Sequence, residues 1–140
     1  MDITILCFFH ILFINSLFII IDYFILKNIS KTTVNFLLIA IAGLTSLFLG
    51  VYLTNHVIEY YFHDQWFGFS NGIVKKYLFV TGAGIFTLCN IIIELPFYFF
   101  ATKNKNIGSS LTSTVISNLT TNIPVGLLYL LGNMFYSHPE

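Results

Sequence analysis

The chain has 140 residues, 56% hydrophobic and 18% aromatic, with only 9% charged and a formal net charge of zero. A soluble domain carries roughly 25% charged residues, and a disordered chain is charged and poor in aromatics, so both classes are excluded. Six lysines, no arginine and six acids leave no basic face for nucleic acid. What remains is a membrane protein, and the length of its apolar runs makes it all-α.

A membrane-crossing helix needs about 20 mainly apolar residues to span a core of about 30 Å. Four segments meet this length. The first runs over 3–26 and is interrupted by His10, Asn15, Ser16 and Asp22. It has no basic region before it and no small-residue cleavage site after it, so it reads as a retained helix and not as a signal peptide. The second covers 34–54. A longer connection, 55–76, follows and holds Tyr60, Tyr61, Phe62, Trp66 and Phe67. Aromatic residues of this kind collect at the membrane–water interface, so helix 2 is expected to run past the bilayer edge, or a short helix to lie on the surface. The third segment is 77–101. The fourth is 111–136, weakest at its start because of its Ser, Thr and Asn content. Barrel strands would alternate polar and apolar residues in ten-residue units, which these runs do not.

The expected fold is a four-transmembrane-helix bundle made of two antiparallel hairpins, in one domain. The links 27–33 and 102–110 are short, and short links join antiparallel neighbours. Lys27, Lys31, Lys103 and Lys105 lie in these links, against Lys75 and Lys76 in the long one. The positive-inside rule then places the short loops in the cytoplasm and both termini outside. The expected location is a bacterial inner membrane.

Chemistry is expected where polar groups fall inside the apolar runs. Asp22 lies about one turn from the end of helix 1. It is read either as an interfacial acid paired with Lys27 or, with Asn15 on the same face seven residues earlier, as a group pointing into the bundle. Glu94 lies seven residues before Ala101, roughly 10 Å deep at 1.5 Å per residue, with no basic residue near it in helix 3. Thr87, Asn90 and Glu94 form one polar stripe. Pro96 removes a hydrogen bond to the carbonyl of Ile92. Helix 4 repeats the pattern: Asn90-x3-Glu94-Leu-Pro96 is answered by Asn118-x3-Asn122-Ile-Pro124. The paired prolines resemble the interrupted helices of ion-coupled transporters. Glu94 and Asn118 are each seven residues from the short link, so facing stripes bring them together, with Thr114, Thr121 and Asn122 nearby.

An intramembrane acid is by default a proton carrier, a cation ligand or a counter-ion. The leading expectation is therefore ion- or proton-coupled transport through Glu94, Asn90, Asn118, Thr121, Asn122 and Asp22. The second is an accessory or immunity-type subunit, in which the same seam only fixes helix packing. The third is a membrane enzyme using a metal on His56, Glu59 and His63, spaced i, i+3, i+7 if helix 2 continues. Cys7 and Cys89 are isolated in apolar runs and form no redox pair. No cofactor is expected. The expected partners are the lipid bilayer and either a second copy or a larger membrane complex, because four short helices enclose little volume.

Overall fold

A computed structural model describes the backbone of residues 3–63 and 76–136, and the side-chain surroundings of most residues between Leu12 and Leu127. The chain is all-helical across these residues, with four helices: α1 (Ile3–Ser30), α2 (Phe36–Phe62), α3 (Lys76–Ala101) and α4 (Ile107–Tyr136). Trp66 and Phe67 lie outside the described residues, as do Asp64 and most of the long connection.

The helix ends follow from local chemistry. Lys31 turns into the left-handed region (φ 51°) and donates its N–H to the Lys27 carbonyl, which stops α1. The Asn35 side chain accepts the Leu37 N–H at 3.0 Å and starts α2. α2 continues eight residues beyond Thr54, until His63 at φ 53° closes it on the Glu59 carbonyl. Asn106 caps α4 by accepting the Ser109 N–H at 3.1 Å. The helix therefore begins one turn before the expected Leu111: the polar run that reads as loop is a capped first turn.

Each helix packs on two neighbours, in the ring α1–α2–α3–α4–α1, and the α2–α3 interface is the most extensive despite its long connection. The two short loops meet at one end. Val34 and Thr102 form an isolated antiparallel bridge, and the Asn35 N–H donates to the Ala101 carbonyl at 2.9 Å.

Three helices are long and apolar enough to cross a membrane, over Leu12–Ser30, Phe36–Phe62 and Val80–Ala101. This places the chain in a membrane. α4 does not qualify on composition: ten of the sixteen residues from Ile107 to Asn122 are Ser, Thr or Asn.

The burial pattern is inverted relative to a water-soluble protein. Among the described residues twelve polar or charged side chains are buried against eight apolar ones, while Phe13, Leu37, Tyr52, Leu88 and Ile92 stand exposed. Two apolar clusters flank the polar interior. One, towards the short loops, joins Ile19, Leu26, Ile39, Ala42, Tyr98 and Ala101 from α1, α2 and α3. The other, towards the far end, joins Ile58 and Leu78 with Ala83, Ile85 and Phe86. α2 faces inward with small residues, Ala42, Gly43, Ser46, Gly50 and Thr54, which allow close approach of its neighbours.

Candidate functional site

The polar interior is organised by two carboxylates from different helices. Glu94 on α3 is buried and each of its oxygens takes a donor. Ser46 of α2 donates to Oε1 at 2.6 Å, and Asn118 of α4 donates its amide to Oε2 at 2.7 Å. The Asn118 amide also donates to the Thr114 carbonyl at 3.0 Å, and its oxygen accepts from Asn122 at 3.1 Å. Two acceptors on one side and a donor on the other fix which way this amide points.

Asp22 on α1 is buried as well, 6% exposed. Ser117 of α4 donates to its Oδ1. Tyr98 and Ser117 lie 3.3 Å apart, oxygen to oxygen. Tyr98 is one turn from Glu94 on α3, and Ser117 adjoins Asn118 on α4. The two acids thus occupy successive layers of one polar cluster, to which all four helices contribute.

No base balances these acids among the described residues. Lys27, Lys31, Lys103 and Lys105 are exposed, and so are His56 and His63. The expected pairing of Asp22 with Lys27 does not form. Five residues at 100° each carry Lys27 about 140° around the helix from Asp22. Lys27 lies instead over the Tyr23 ring, 5.8 Å from its centroid.

The remaining expected residues are placed as follows. Asn90 is buried one turn from Glu94, against Gly50 of α2, and its side-chain oxygen has no partner. Thr121 is buried and bonds the Ser117 carbonyl at 2.9 Å. Thr87 bonds the Ala83 carbonyl at 2.8 Å and does not join the cluster. Asn15 turns inward near Gly43, with its amide nitrogen unpartnered. Both prolines sit inside continuous helices, so α3 and α4 are not interrupted as their motif suggests.

His56, Glu59 and His63 do not assemble a metal site. No group of three or more His, Cys, Asp or Glu side chains among the described residues is placed to hold a metal ion. His56 is exposed and stacks on Tyr52, with ring centroids 6.4 Å apart and planes 3° apart. His63 is the left-handed residue that ends α2, so it leaves the helical register on which the i, i+7 spacing depends.

Ser46, Tyr98 and Ser117 belong to the cluster without having been singled out in the sequence. Each is one polar or amphipathic residue without a distinctive spacing. Comparison of the chain with protein-family models, with curated proteins and with solved structures returned no match.

Proposed function

We propose that this chain is a small polytopic membrane protein with four spanning helices, and that it binds and releases a proton or small cation at the Asp22–Glu94 cluster as part of ion- or proton-coupled transport. One observation carries the reading: two buried acids share a polar cluster that contains no basic side chain among the described residues. An acid at the centre of a bilayer costs at least about 2.5–3.5 kcal/mol on insertion scales, and an uncompensated buried charge is strongly destabilising. Two such groups together need protons or a cation to balance them.

α4 fits as the fourth span despite its composition. Its 30 residues reach about 45 Å at 1.5 Å per residue. Its buried face is polar, whereas Leu111, Ile116, Leu119, Ile123 and Leu127 point outward. A hydropathy average mixes the two faces and undervalues such a helix. Four helices leave little room for a substrate path, so the working unit is a homo-oligomer or a larger membrane complex. The lysines favour short loops in the cytoplasm and termini outside, in a bacterial inner membrane.

The test is infrared difference spectroscopy of the protein in lipid, with Glu94→Gln as the blank. A Glu94 carboxyl band that changes reversibly with pH or with added sodium supports the reading. A band unchanged by either sinks it.

A second reading is favoured by the completeness of the Glu94 contacts. Both oxygens are satisfied by protein donors, as in a seam that only holds helices together. The chain would then be an accessory or immunity-type subunit, presenting exposed Tyr52, Tyr60 and Tyr61 to a larger membrane partner. Full function in Glu94→Gln favours this reading over transport.

A further inference from the structure

The buried face of α4 carries no apolar side chain between its first turn and the acids. Ser110, Ser113, Thr114, Ser117, Asn118 and Thr121 are all buried, at spacings of 3, 1, 3, 1 and 3 residues. From Ser110 to Ser117 this row covers about 10 Å at 1.5 Å per residue. It starts one turn from the Asn106 cap, at the end where the short loops meet. The apolar cluster at that end is built from α1, α2 and α3 and takes nothing from α4. Beside the seal made by three helices, the fourth supplies hydroxyls.

These hydroxyls are turned one way. Ser113 donates to the Ser109 carbonyl at 2.7 Å, and Thr114 donates to the Ser110 carbonyl at 2.8 Å. A hydroxyl has one proton, so each offers only lone pairs to the interior. Such a row receives hydrogen-bond donors. Ser110 adds an independent sign of what belongs there: its hydroxyl is fully buried and has no partner. A buried polar atom of this kind calls for a bridging water.

We propose that the α4 face from Ser110 to Ser117 is a water path that delivers protons to Asp22 and Glu94 from the short-loop end. This rests on the ion-binding reading above and adds the side of entry and the ligand. Hydroxyls that offer only lone pairs suit water, which donates to them and relays a proton onward.

The experiment places single cysteines in a Cys7→Ala/Cys89→Ala chain reconstituted in vesicles. Silver nitrate is the probe, and loss of maleimide-reactive thiol is the readout. Ser113→Cys, nearly isosteric with the native residue, should react when silver is on the side of the short loops. That side is identified by labelling Lys31→Cys with an impermeant maleimide. Lipid-facing Ile116→Cys should react at least about tenfold more slowly, since a cation is excluded from hydrocarbon. In the otherwise native chain, Ser113→Val should slow deuterium exchange of the Glu94 carboxyl, and lipid-facing Thr120→Val should not.

An unreactive Ser113→Cys together with unchanged exchange in Ser113→Val overturns the path. If a hydrophobic carbodiimide still modifies Glu94 in a pH-dependent way, the ion site survives that failure. Reactivity only from the far side reverses the direction of entry and overturns the proposal. Sodium, and not pH, protecting Glu94 from carbodiimide overturns the proton as ligand. A Glu94 that neither reacts nor titrates removes the ion-binding reading, and the path with it.

Discussion

Asn118 and Glu94 hold each other across the α3–α4 interface. The amide donates to one carboxylate oxygen at 2.7 Å while Ser46 of α2 donates to the other at 2.6 Å. A single carboxyl therefore ties three helices together, with a hydroxyl and an amide as its partners.

Replacing Glu94 separates the chemical from the structural role. In Glu94→Gln the new amide oxygen accepts from Asn118 and its nitrogen donates to Ser46, so the seam stays satisfied. The expected loss of stability is below about 1 kcal/mol. Glu94→Leu strips a partner from both Ser46 and Asn118 and should cost about 1–2 kcal/mol, each donor keeping one backbone carbonyl. Unfolding in mixed micelles measures both. Equal losses in the two variants would show that the carboxyl contributes to packing by shape and not by hydrogen bonding.

Asp22 offers the corresponding measurement on the α1–α4 interface. Ser117 donates to it, and the Tyr98 hydroxyl lies 3.3 Å from the Ser117 oxygen. A double-mutant cycle on Asp22→Ala and Ser117→Ala, each of which removes the contact, should give a coupling near 0.6 kcal/mol and no more than about 1.7 kcal/mol, the range found for polar pairs between membrane helices. Additive losses would mean that the contact is not made in the membrane.

Much of this site is legible in the sequence, for a specific reason. The loop between helices 3 and 4 is short, so counting residues from it aligns Glu94 with Asn118 without any knowledge of the rest of the fold. Asp22 is less legible. Its partner Ser117 is visible only once α1 is known to close the ring against α4, a contact between residues 95 positions apart. Ser46 is hidden for the same reason, as one small polar residue in an apolar helix. The start of α4 is missed because Ser, Thr and Asn read as loop until Asn106 is recognised as a cap. The histidine face gathers no ligand set among the described residues, because the helical periodicity stops at His63, where the backbone turns left-handed.

The histidines yield a direct prediction. With no ligand set among the described residues, purified protein should contain well under one equivalent of zinc, iron or copper, and His56→Ala should leave stability unchanged within about 0.5 kcal/mol. Elemental analysis of dialysed protein decides the first point. A stoichiometric metal that is lost in His56→Ala would restore the metal-site reading.

The glycines of α2 and α3 give the sharpest contrast in packing. A Cβ built at Gly50 meets the Asn90 side-chain oxygen and comes within 3.0 Å of the Phe86 ring. The α2–α3 interface closes at this point because residue 50 has no side chain. Asn90 is buried and cannot swing into open space, so Gly50→Ala must push the helices apart or force off-rotamer side chains. Overpacking of this kind costs about 1–3 kcal/mol. Gly84 on α3 has nothing within 4 Å of the same hypothetical atom. Gly84→Ala should be neutral or stabilising by up to about 1 kcal/mol, through the better helix propensity of alanine. The two variants add the same methyl group to neighbouring helices, so the difference between them isolates the contact. Measured side by side in mixed micelles, a Gly50→Ala protein as stable as Gly84→Ala would show that α2 and α3 do not approach at Asn90. The placement of the whole polar layer above Glu94 would then have to change.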